Sequence, residues 1–156
     1  MAALTRHGSD VASVFDLLGR DENDLTAALG FTLTNCSPLL AALINRVQPK
    51  TKLAPDEQPR LALERRDSEG RTDLEIQTSN SLLICEAKRG WILPSTEQLH
   101  QYSGRIHRRG GGALITLSQA SRALADANLP PSVDGVPVIH LPWRDVLSDI
   151  DQVSPN

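Results

Sequence analysis

Thr72-Asp-Leu-Glu-Ile-Gln-Thr78, then Ser79-Asn80, then Ser81-Leu-Leu-Ile-Cys-Glu-Ala-Lys88 reads as two strands around a tight turn. Ser-Asn between strand-like segments fits a hairpin with a two-residue loop. Thr78 then pairs with Ser81, paired residue numbers sum to 159, and Asp73 sits directly opposite Glu86. Facing Cβ atoms in such a ladder are ~4.5–5.5 Å apart. Lys88 follows two residues on, on the same face. Like charges placed face to face destabilise a sheet unless something offsets them. A divalent cation together with the neighbouring ammonium would do so, which makes Asp73, Glu86 and Lys88 a candidate metal site for phosphoryl chemistry.

The chemistry suits those residue types. Mg²⁺ takes carboxylate oxygens, keeps several waters and shares its shell with phosphate. It lowers the pKa of an attacking water and neutralises charge on a scissile phosphate. A lysine alongside would orient or deprotonate the water, or stabilise the phosphoryl oxygens. The bland alternative is a solvated strand face bearing a Glu–Lys pair. Against it stand the facing Asp73 and the apolar run Leu82-Leu-Ile-Cys85, which marks a central strand.

Outward from the hairpin, alternation gives two faces. Leu74, Ile76, Leu83, Cys85 and Ala87 share an apolar one; Arg71, Asp73, Glu75, Gln77, Leu82, Ile84, Glu86 and Lys88 share one that turns from apolar to charged. Upstream, Arg60 to Arg66 alternates as a strand and Asp67-Ser-Glu-Gly70 is a turn. Helical spacing predicts a helix from Asp10 to Leu18 stopped by Gly19, and another from an Asp21 cap through Leu29 with Gly30 as its stop. Ser37-Pro38 opens a third helix to about Val47, and Gln48 to Pro59 is a loop. Downstream, Ser95 caps a helix to about Arg109, ended by Gly110-Gly-Gly112. A strand over Ala113–Leu117, a helix from Ser118 to about Ala127, a loop from Asn128 to Gly135, a strand over Pro137–Leu141 and a helix from Trp143 to about Ile150 complete the chain. The order predicts one α/β domain over residues 1–156, with its core at about 10–150. A mixed central sheet, a three-strand meander plus crossover strand, would be flanked by α-helices.

The 156 residues suffice for one domain with a real core, and 40% apolar with 22% charged content is that of an ordinary globular protein. Aromatics at 3% leave the core to aliphatic side chains. A net charge of −3 argues against a protein coated in basic residues but leaves room for a local basic stripe. Cys36 and Cys85 have no metal-ligand spacing and read as buried thiols in a reducing compartment. The absence of an apolar leader or a transmembrane-length run points to a cytoplasmic protein without a membrane partner.

Three further features bear on the site. Leu18, Glu22, Leu25 and Leu29 fall on one helical face, so Glu22 aligns with an apolar stripe; the plain alternative is a first-turn glutamate favoured by the helix dipole. Gln98 and Tyr102 lie four apart on one helix face, with Arg105 and Arg109 continuing the line, a face that would present an amide, a phenol and guanidiniums to a phosphate backbone. Against that, Ser95-x-x-Gln98 fits a capping box, and Tyr102 beside Leu99 and Ile106 fits core packing. None of the four histidines is assigned a role.

Together these segments resemble the PD-(D/E)XK nuclease superfamily. The matching stretches are Glu22-Asn-Asp-Leu-Thr-Ala-Ala-Leu29 with Ser37-Pro38-Leu-Leu40, Arg71-Thr-Asp73-Leu-Glu-Ile, Leu83-Ile-Cys-Glu86-Ala-Lys88, and Gln98-Leu-His-Gln-Tyr102, in the family's order over roughly residues 10 to 150. Thr72 stands where the motif name has proline, a position where proline is often missing. The resemblance implies a restriction-endonuclease-like fold and Mg²⁺-dependent hydrolysis of DNA phosphodiesters, with Mn²⁺ able to substitute. It implies Asp73 and Glu86 as metal ligands, Lys88 as the catalytic lysine, and Glu22 as the first-helix acid supporting the metal. Gln98 and Tyr102 match the helix motif of the exonuclease and RecB-like branch, so that Gln98, Tyr102 and Arg105 would position the DNA backbone. A homodimer or a targeting subunit would fit so small a domain. The family also contains inert members that bind nucleic acid or a protein partner, which is the alternative reading.

Overall fold

The computed structural model describes residues 5–6, 9–10, 22–49, 53–54 and 56–153. Strands β1 (Thr5–Arg6) and β2 (Ser9–Asp10) form a small antiparallel pair. Beyond Asp10, the helix expected as far as Leu18 lies outside the described residues.

Helix α1 spans Glu22–Asn35 and α2 spans Ser37–Val47, the chain bending by 112° between them. Gly30 does not stop α1, as its sequence context suggests it should. It lies inside the helix, where a Cβ would come within 3.1 Å of the Leu63 side chain and 3.5 Å of Leu74, so glycine serves close packing on the sheet. The inward stripe of α1 runs through Thr26, Leu29 and Leu33. Leu25, expected on it, is 42% exposed. Pro38 sits in the first turn of α2, where a missing N–H costs nothing.

The expected first strand divides. Strand β3 is Arg60–Leu63; Glu64 then takes a positive φ of 49°, and β4 (Arg66–Asp67) pairs with β5 (Gly70–Arg71) around Ser68-Glu69 as a separate small hairpin. Strands β6 (Leu74–Gln77) and β7 (Leu82–Ala87) follow in the register read from the sequence: Leu74 pairs with Cys85 and Gln77 with Leu82. The Thr78 N–H donates to Ser81 O at 2.9 Å, closing the two-residue loop.

Helix α3 (Thr96–Arg108) crosses to β8 (Gly112–Ser118), which pairs parallel with β7. A Cβ on Gly112 would lie 1.8 Å from Leu82 O, so only glycine allows the two strands to start side by side. Helix α4 (Arg122–Asn128), capped by Ser121 and so beginning later than the expected Ser118, leads through β9 (Ser132–Val133) to β10 (Val136–Pro142), parallel to β8. Strand β9 lies inside the stretch read as a loop and pairs antiparallel with β10. Helix α5 is Trp143–Val153.

The result is a mixed six-stranded sheet, ordered β3-β6-β7-β8-β10-β9, flanked by helices. The larger core packs α1, α2 and α5 on one face through residues such as Leu33, Ile44, Leu83, Ile115 and Val146. The other face carries α3, whose Leu99, Tyr102 and Ile106 cover Leu82, Ile84 and Leu114. Both sides of the hairpin therefore face where alternation placed them. Among the described residues, no single helix is long and apolar enough to cross a membrane.

Candidate active site

The β6–β7 register sets Asp73, just before β6, against Glu86 near the end of β7. The Asp73 Oδ2 accepts the Ala87 N–H at 2.8 Å, which ties the aspartate to the end of the partner strand. Both carboxylates are buried, at 7% and 3% exposure, and this decides against a solvated strand face. Burial first, then the Asp73 charge, push the Glu86 carboxyl above the usual carboxylate range, against the opposing pull of Lys88. The same two acids help raise the buried Cys85 thiol to about 12, burial being the larger cause, so Cys85 is an inert core side chain.

Glu86 is held by one oxygen and bare at the other. Its Oε1 accepts from Lys88 Nζ at 2.8 Å and from Gln98 Nε2 at 2.5 Å. Its Oε2 is buried with no hydrogen-bond partner, because the nearby Tyr102 hydroxyl gives its single proton to Arg71 O instead. A buried carboxylate oxygen without a donor is costly. On a carboxylate that also feels the Asp73 charge, such an oxygen is what a cation ligand would need.

Gln98 resolves the two readings of its helix. The Ser95 Oγ does accept the Gln98 N–H at 3.2 Å, which is half of a capping box. The Gln98 side chain turns instead to Glu86. Tyr102 is buried in the α3 core, and its hydroxyl donates to Arg71 O at 2.7 Å. Burial and the adjacent Glu86 hold its phenol protonated well above the usual range. Tyr102 thus joins packing to the wall of the site.

The structure does not bring Arg105 to the carboxylate pair. Its guanidinium is buried, donating from Nη1 to Glu75 Oε1 and from Nη2 to Asp67 Oδ1 and, at 3.0 Å, Gly70 O. It also stacks over the Tyr102 ring, 5.9 Å from the centroid. It fastens the β4–β5 hairpin to α3, and with both Nη atoms engaged and Nε buried it presents no donor to a phosphate backbone. Glu22 opens α1, but its side chain lies outside the described residues.

Two residues without a sequence signal continue the polar row across the sheet. Thr116 on β8 is in register with Glu86, and His140 on β10 is in register with Thr116. The His140 Nε2 donates to Ala120 O at 2.9 Å, and its Nδ1 shares a hydrogen bond of 2.8 Å with the Thr116 hydroxyl. The parallel register alone assembles this row, and no local pattern announces it.

No family model and no curated protein sequence matches this chain. Among solved structures it is similar to the DNA modification-dependent restriction endonuclease AspBHI, with a TM-score of 0.40 and 20% identity over 91% of this chain and 38% of that one. The chain therefore spans well under half of that enzyme's length.

Proposed function

We propose that this chain is a Mg²⁺-dependent nuclease hydrolysing DNA phosphodiesters, and that the observation carrying this reading is the bare, buried Glu86 Oε2 beside Asp73. The donor set fits a hard cation: two carboxylates at one end of a buried strand pair, for an ion that would complete its shell with waters and phosphate. Asp73 and Glu86 would hold Mg²⁺, or Mn²⁺ in its place, with Glu22 assigned a supporting role by family resemblance. When bound, such an ion acts as a Lewis acid at the phosphate and makes a water nucleophilic at neutral pH.

The chain's own groups do the rest. Gln98 fixes the Glu86 carboxylate by its hydrogen bond to Oε1. Lys88 keeps its Nζ on that same oxygen while its side chain stays 21% exposed, enough to reach a substrate phosphate. From there it stabilises the charge that develops on the phosphoryl oxygens, or holds the attacking water. The expected consequence is that Lys88→Ala lowers the cleavage rate by about 10²–10⁴-fold with the fold intact. A rate assay on double- and single-stranded DNA in Mg²⁺ checks this, and unchanged cleavage in the variant removes Lys88 from the mechanism.

One observation favours a second reading, an inert module of the same fold that binds nucleic acid or a protein partner. Among the described residues, no three His, Cys, Asp or Glu side chains converge to hold a metal. Calorimetric titration with Mn²⁺ separates the two. Heat that is lost in Asp73→Ala supports the enzyme, and no heat in either protein supports the inert module.

A further inference from the structure

Trp91 and Ile92 are 63% and 62% exposed, the most exposed large apolar side chains among the described residues. They lie at the tip of a turn that begins where β7 ends. The turn is held at several points. The Lys88 N–H donates to Leu117 O at 2.8 Å, the Gln119 N–H to Gly90 O at 2.7 Å, and the Ile92 N–H to Arg89 O at 3.3 Å. Gly90 supplies the φ of +60° that the turn requires, and Pro94 is buried at its far end. An indole presented to solvent on an anchored turn, covered by nothing among the described residues, is available to a partner that offers an apolar or aromatic face.

Its place identifies the partner. Trp91 is three positions on from Lys88, so their Cα atoms are at most about 11 Å apart. At ~3.4 Å per nucleotide along a strand, DNA with a phosphate at Lys88 passes Trp91 within about three steps. Lys88 and the exposed Arg89 give the approach a positive charge. We propose that the Trp91 indole stacks on an unpaired or terminal base of the DNA held at the Asp73–Glu86 pair, with Ile92 packed beside it. This rests on the nuclease reading above and narrows it to DNA with accessible bases.

The test is binding, read apart from cleavage, with Ca²⁺ in place of Mg²⁺. A single-stranded oligonucleotide and a dumbbell duplex without free ends are titrated while tryptophan emission is followed. Trp143, the other tryptophan, packs on the core and gives a constant background. The single strand should quench the emission and the dumbbell should not. Trp91→Ala should lose the quenching and bind the single strand about 5- to 150-fold more weakly. Trp91→Phe should keep most of the affinity, and Trp91→Leu should behave as Trp91→Ala, which separates stacking from apolar burial. Equal binding by wild type and Trp91→Ala, quenching by the dumbbell, or no binding of any DNA overturns the inference. If Mg²⁺-dependent cleavage persists while Trp91 is silent, only the stacking role falls; if cleavage and binding are both absent, the nuclease reading falls with it.

Discussion

Glu86→Ala should reduce metal-dependent DNA cleavage by about 10³-fold or more, since a ligand that sets several kcal/mol of transition-state stabilisation is worth at least that in rate. It should do so without unfolding the protein. Glu86 is buried beside Asp73, and its charge is disfavoured both by burial and by that neighbour. Removing it relieves a like-charge pair. The Lys88 ammonium, with a side chain 21% exposed, can move to water when its partner is lost. The sign with pH follows from the raised Glu86 pKa. The folded, metal-free protein holds this proton more tightly than the unfolded chain does. Its stability is therefore full below the unfolded carboxyl value and falls as pH rises through the raised one. Thermal melts in EDTA should show Glu86→Ala equal to or above wild type at neutral pH, with that advantage gone in acid. A variant that melts far below wild type, or that still cuts DNA, contradicts the assigned role.

Arg105→Ala should strongly destabilise the α3 region, and should act on the fold rather than on a DNA contact. It would leave Glu75, whose side chain is 3% exposed, with the Thr72 hydroxyl at 3.0 Å and the half-exposed Arg65 at 3.6 Å. Breaking one side of a buried pair costs about 3–5 kcal/mol, and the two remaining partners place this case toward the lower end. For a chain of this size that lowers Tm by roughly 6–20 °C. Glu75→Gln in the Arg105→Ala background should recover part of the loss, because the buried charge goes with it. Acid should act through the same network. Burial opposes ionisation of Asp67, but the Glu69 N–H and Arg105 outweigh it and hold its carboxyl below the usual value. That stability is present above the unfolded value and is lost as pH falls through the depressed one, so Arg105→Ala should flatten the acid limb of the stability curve. Normal stability with weakened DNA binding would return Arg105 to the phosphate backbone.

The parts of this molecule that local rules govern were legible in its sequence. Ser79-Asn80 fixed the hairpin register, and the register fixed the facing of Asp73 and Glu86, because a period of two leaves no freedom once the turn is set. The alternation that sent Leu83 and Cys85 to one core and Leu82 and Ile84 to the other is the same rule. What tertiary packing governs was not legible. Gly30 looked like a helix stop, and only the approach of Leu63 shows why a glycine sits within α1. Leu25 matched an inward stripe by spacing, yet the helix is rolled so that Thr26 and Leu29 face the sheet. Arg105 lay on a helix face that looked turned to a phosphate backbone; its acidic partners, Asp67 and Glu75, are 38 and 30 residues away. Thr116 and His140 came into one row with Glu86 through parallel pairing, for which sequence gives no register signal.

The most direct test of the carboxylate pair is cleavage of closed-circular and linear DNA by the wild-type protein and by Asp73→Ala, in Mg²⁺, Mn²⁺ and EDTA. The account predicts cutting by wild type in either metal, none in EDTA, and none by Asp73→Ala prepared in parallel, with the circular substrate separating internal from end-dependent attack. Cutting that survives in Asp73→Ala, or wild-type protein that binds no metal and cuts no DNA, would contradict it.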